Sequence, residues 1–159
     1  MKKFLTASAL LCLMVVAAFA AALPNYAGTW VLDKDKSTGL SQRMMASTDP
    51  IQWVVTQDAK KLTVKSMMGE VAYNLDGSKS KVQMGGQMPG DATVYLEMKD
   101  DGKIVLHSER QVNVQGNDVS IKITQAWELA DGGKTLKVKQ TVESPRGTQE
   151  VTLVFTLKS

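Results

Sequence analysis

From Tyr26 onward the chain alternates apolar with polar residues in short runs separated by turn residues, a period of two that marks half-buried antiparallel strands. Ten runs follow one another: 28–33, 51–58, 62–68, 71–75, 80–84, 92–98, 103–114, 119–129, 135–143 and 148–157. Asp76-Gly77, Asp101-Gly102, Gly116-Asn117, Asp131-Gly132-Gly133 and Pro145-Arg146-Gly147 supply the tight or left-handed backbone that hairpins need. Only Ser37 to Pro50 interrupts the meander, and Leu40, Met44 and Met45 sit there near helical spacing, so a short helix or lid is expected after the first strand. Sequential hairpins predict an all-β fold, a single antiparallel up-and-down β-barrel of about ten strands, because closure removes exposed edges. A β-sandwich of two sheets is the alternative.

Ahead of this domain stand Met1, Lys2 and Lys3, an apolar run from Phe4 to Phe19, and the small residues Ala20 to Ala22. Charge, apolar stretch and small-residue exit are the order of a signal peptide, so export to the periplasm or the medium is expected, with cleavage after Ala20 or Ala22 and a β domain over 23–159. The run is short for the roughly 20 residues of a spanning helix. The only cysteine, Cys12, follows Leu11 where a lipoprotein signal wants a small residue, which argues against a lasting membrane anchor. Loss of the leader leaves 17 basic and 16 acidic residues, a net charge of +1, interleaved along the chain. That distribution gives no footprint for nucleic acid. Without Cys12 the domain has neither disulfides nor thiolate chemistry, and its fold rests on its core.

Alternation assigns an inward face that includes Trp30, Leu32, Trp53, Val55, Leu62, Val64, Met68, Val71, Tyr73, Leu96, Met98, Ile104, Leu106, Trp127, Leu136, Val138, Leu153 and Phe155. Ser66, Ser108, Arg110, Gln125 and Gln140 fall in phase with it although they are polar. Pairing Val114 with Val119 sets Ser108 opposite Gln125, and pairing Leu129 with Leu136 sets Gln125 opposite Gln140, with Arg110 a step nearer the lid. Polar groups inside a barrel must bond to one another, to water or to a ligand. An internal water network, a barrel rim at which Arg110 reaches solvent, and a ligand-orienting site all satisfy that requirement.

Strand direction gathers the methionines. The lid holds Met44 and Met45, the turn after the third run Met67 and Met68, and the loop after the fifth run Met84 and Met88, so six of the seven methionines beyond the leader meet at one mouth. Three readings fit: a hydrophobic cap, an adaptable gate for varied apolar shapes, and a thioether site for Cu(I). The lone His107 alternates outward. With one histidine and acidic residues mostly in turns or on the outer face, no nucleophile and base pair is visible, and neither a catalytic set nor a cofactor is expected.

Tyr26-Ala27-Gly28-Thr29-Trp30-Val31-Leu32 resembles the opening strand of the calycin group, the lipocalins and fatty-acid-binding proteins, in which a Gly-x-Trp strand begins the barrel and its Trp plugs the closed end. The Gly-Thr-Trp strand running into Asp33 to Ser37, and the Lys61 to Val64 strand, are similar to bacterial secreted lipocalin-like proteins. Fatty-acid-binding proteins share the ten strands and the lid, and their portal is the lid with the two turns where the methionines lie here. They also carry an Arg-x-Tyr carboxylate anchor on the last strand, where this chain has Val154-Phe155-Thr156. The resemblance implies a binding protein for a small hydrophobic or amphipathic molecule, for which the inward face and the methionine mouth offer Trp53, Tyr73, Ser108, Arg110, Gln125, Gln140, Met44, Met45, Met68, Met84 and Met88 as candidate ligand contacts. A closed barrel that works as an envelope interaction or inhibitor module is the alternative.

Overall fold

A computed structural model describes residues 23–84, 90–114 and 116–159; residues 1–22, where a signal peptide is expected, and Met88 lie outside the described residues. Ten antiparallel strands form one sheet: β1 Gly28–Leu32, β2 Gln52–Gln57, β3 Lys61–Ser66, β4 Gly69–Asn74, β5 Ser80–Met84, β6 Gly90–Met98, β7 Ile104–Val114, β8 Asn117–Ala130, β9 Thr135–Ser144 and β10 Gly147–Leu157. Their order is β4, β3, β2, β1, β10, β9, β8, β7, β6, β5. The first strand thus pairs with the last, Trp30 with Leu157 and Leu32 with Phe155, and the sheet curls into a nearly closed barrel. The all-β barrel predicted by the alternation is the observed fold.

Two expectations about pairing need correction. The Asp76-Gly77 turn does not join a hydrogen-bonded hairpin, because β4 and β5 are the two ends of the sheet. Leu75 N donates to Lys60 O at 2.8 Å, holding the chain beside β3 past the end of β4. The turn then closes on its own side chains, with Asn74 Nδ2 donating to Ser78 Oγ at 2.9 Å and Ser78 N to Asp76 Oδ1 at 2.9 Å. The strands diverge, and a gap remains in the wall.

The second correction is a register shift. Val114 pairs with Asn117 and Val112 with Val119, so Ser108 faces Ile123, and Gln125 faces Leu106. Gly116, at φ +87°, supplies the left-handed residue of a turn tighter than the one assumed from Gly116-Asn117. A slip of two residues leaves every side chain on its face, which is why the inward assignments survive an incorrect pairing. The Gln125 to Gln140 and Leu129 to Leu136 pairings stand as expected.

The end away from the lid is filled and sealed. Tyr26, Trp30, Leu62, Ile104, Leu106, Trp127, Leu136, Val138 and Phe155 are buried in one cluster. Trp30 is 1% exposed, and its Nε1 donates to Tyr26 O at 2.9 Å, the partner a buried indole requires. Residues 23–26 cross this end as a strap. Gln57 grips it twice, accepting from Tyr26 N at 2.9 Å through Oε1 and donating to Pro24 O at 3.2 Å through Nε2. Tyr26 Oη reaches over to donate to Gly102 O at 3.2 Å.

At the other end the lid contains one short helix, α1, Gln42–Ala46, capped by Ser41, whose side chain accepts from Met44 N. Lys34 Nζ closes the far end of the lid by donating to Ser47 O at 2.6 Å. The lid is stitched to β10 where β1 ends: Thr38 pairs with Thr152, and Ser37 Oγ accepts from Val154 N at 2.9 Å while donating to Asp33 O at 2.6 Å.

Candidate ligand-binding site

Trp53, Trp127 and Phe155 meet above the sealed end. Trp53 lies 5.5 Å from Trp127 between ring centres, at 21°, and 4.4 Å from Phe155 at 35°. Tyr26 approaches Trp127 edge-on from below at 5.9 Å. The strands put these rings together by register: Trp53 faces Trp30 across β2 and β1, while Trp127 faces Val138 across β8 and β9. The result is an aromatic floor, of which Trp53 is the partly accessible upper ring.

Polar groups begin where the floor ends. Trp127 Nε1 donates to Gln125 Oε1 at 3.3 Å, and Gln125 Nε2 donates to Gln140 Oε1 at 2.7 Å. Leu106 occupies the same level on β7. One inward step nearer the lid stands Ser108 opposite Val94 and Ile123, and the next step brings Arg110 opposite Ala92 and Ile121. Ser108 is 9% exposed and Arg110 7%, among flanking residues Glu109 and Gln111 that face water. A serine and an arginine held inside the wall are costly to bury and mark a built feature. Expecting Ser108, Gln125 and Gln140 on one level is thus half right: the glutamines share a level, and Ser108 lies one level up.

The facing wall is apolar. Val55 pairs with Val64, Val64 with Val71, and Leu62 with Tyr73. Burial pushes the Tyr73 hydroxyl up to about 12, so it stays protonated and neutral at working pH. Polar side chains from β7, β8 and β9 therefore face an aliphatic wall from β2, β3 and β4 across one interior.

The methionines divide. Met44 and Met84 are half-buried against the core, as a cap or gate needs. Met45 is 56% exposed, Met67 69% and Met68 50%. Met68 was expected to point inward and does not, because Met67 and Met68 are the two turn residues between β3 and β4, where Ser66 already pairs with Gly69. Met98 is likewise 54% exposed instead of inward, at the strand end that ladders against Ile104. His107 stacks on Tyr95 at 4.3 Å on the outer wall, with Glu97 3.4 Å from its Nε2. Among the described residues no three His, Cys, Asp or Glu side chains converge as metal ligands.

Sequence reading passed over Tyr26 and Ala92, both fully or almost fully buried. Ala92 was legible, since it lies in phase with Val94. Tyr26 precedes the first strand, where alternation carries no information. A surface groove of about 750 Å³ at the sealed end, lined by Leu23, Lys60, Lys61, Leu75 and Met98 among others, contains none of the expected contacts. Its open, mixed lining lacks the convergent polar groups of the interior, so the interior is the stronger candidate.

No family model matches this chain, and no curated protein matches it. Among solved structures it is similar to the zebrafish ileal bile acid-binding protein complexed with cholic acid, with a TM-score of 0.53 and 12% sequence identity over 84% of this chain and 98% of that one. At that identity the likeness is one of fold: both chains are built around a nearly closed barrel, here of ten antiparallel strands.

Proposed function

We propose that this protein is an exported carrier or sensor that holds a small amphipathic molecule in the upper half of its barrel, admitted at the lid end. The observation that carries the reading is the one-sided interior: Arg110, Ser108 and the Gln125 and Gln140 pair on one wall, aliphatic residues on the other, and an aromatic floor beneath. Arg110 lies four residues from the Gln125 level along β7, about 14 Å at roughly 3.4 Å per residue. Such a wall suits a ligand with an acidic group near the lid and a hydrogen-bonding group deeper in, its other side apolar. The fold likeness to a protein that holds cholic acid agrees with an amphipathic occupant. The leader-like order of Met1 to Ala22 supports export to the periplasm or the medium. Among the described residues no helix is long and apolar enough to cross a membrane.

The test is competition against a neutral, apolar fluorescent probe. Arg110→Met should weaken anionic amphiphiles roughly ten- to a hundredfold, the loss of a charge-assisted hydrogen bond of about 1.5 to 3 kcal/mol, and leave uncharged analogues unchanged. Equal loss for both would remove the anchor role and leave the pocket. If the wild type binds no probe and purifies from its host compartment with a protein partner instead of a small molecule, the closed interaction module is the better account.

A further inference from the structure

The large apolar side chains left exposed among the described residues are Met45, Val54, Met67, Met68 and Met98. Four of these five are thioethers, while the leucines, isoleucines and aromatic rings are inside or half-covered. Three of the four stand at the lid end: Met45 in α1, and Met67 and Met68 in the turn between β3 and β4, which the strand directions bring to the same end. Met98 ends β6 at the opposite, sealed end. Leucine would serve an apolar rim equally well, being close in volume and hydrophobicity. What leucine lacks is a sulfur that can be oxidised.

We infer that Met45, Met67 and Met68 form a sulfoxidation site that loosens the mouth of the barrel, an inference that rests on the ligand-carrier reading above. The oxidant is hydrogen peroxide. The thioether sulfur attacks the terminal oxygen, an S–O bond forms as the O–O bond breaks, and water leaves after proton transfer; sulfur loses two electrons and the peroxide gains them. The chain beyond the leader has no cysteine to compete for the oxidant. A sulfoxide is polar and chiral where the thioether was apolar and flexible, so the exposed apolar side chains that a ligand passes at this end become polar. Met44 and Met84, half-buried at the same end, react later because the oxidant reaches them less readily.

The experiment loads the full protein with the apolar probe, treats it with hydrogen peroxide, maps sulfoxides by peptide mass spectrometry and measures probe release. Wild type should gain oxygen first at Met45, Met67, Met68 and Met98, and should release probe at least fivefold faster than before treatment. Met98→Leu should show the same acceleration. The triple variant Met45→Leu, Met67→Leu, Met68→Leu, compared with its own untreated rate, should show none. Sulfoxides at the three positions with an unchanged release rate would overturn the inference while leaving the carrier reading intact, as would acceleration that persists in the triple variant. A wild type that holds no probe before treatment removes the carrier reading and this inference with it.

Discussion

Trp30 shows how much one residue can settle. It is in phase with Leu32 on the first strand, faces Trp53 and Leu157, and spends its one donor on Tyr26 O. Trp30→Ala should cost about 3 to 5 kcal/mol in urea unfolding, the range for large aromatics taken from a core; a change under about 1 kcal/mol would make it peripheral. The buried tyrosines make a second residue-level prediction. Burial raises Tyr73 to about 12, and burial with the nearby charges of Asp101 and Glu128 raises Tyr26 to about 12. A tyrosine is neutral while protonated, so a raised folded pKa means the folded state holds the proton more tightly than the unfolded chain. That stability is whole below pH 10 and is lost as pH climbs toward 12. For Tyr73 the full loss is about 3 kcal/mol. Stability followed against pH should fall across this window, and Tyr73→Phe should fall less steeply.

Elements were more legible than their partners. Every strand lies within a few residues of its predicted run, because alternation and turn residues are local signals. Pairing is decided elsewhere: at the turn before β8 one glycine's φ set the register, and beyond β4 a bond from Leu75 to Lys60 kept the chain from folding back on itself as a hairpin. The polar wall was legible face by face, since a slip of two residues preserves the face and moves the level. The exposure of Met68 was not, because the last residue of a run and the first of a turn look alike in sequence. The lid depends on contacts that no periodicity announces. Gly39 takes φ +75°, and a Cβ there would stand 2.7 Å from Glu150 O. Gly39→Ala should therefore lift the lid segment from β10, cost about 1 to 3 kcal/mol, and expose residues 37–50 to limited proteolysis before the barrel unfolds.

At the scale of the whole molecule, eight of the nine strand pairings join neighbours in sequence, and the ninth, β1 with β10, joins the two ends of the domain. Lys158 N donates to Thr29 O at 2.8 Å, so the last residues lie beside the first strand at the sealed end. The gap between β4 and β5 lies, by contrast, between consecutive strands that share no ladder. The chain can therefore be rewired without breaking a single pairing. Cut at Gly77 and joined by a short flexible linker from Ser159 to Leu23, the permuted order β5 through β10 and then β1 through β4 is an unbroken meander in which every hydrogen-bonded partner is the next strand along. The pairing that now requires closing nearly the whole chain becomes a hairpin-like contact, and contact order falls. Such a permutant should keep the wild-type circular dichroism and probe binding while refolding faster from urea in stopped-flow. Refolding no faster than wild type would mean that the docking of first strand to last is not what limits the rate, and a permutant that fails to fold would mean that the turn across the gap holds the barrel's wall together as firmly as a ladder would.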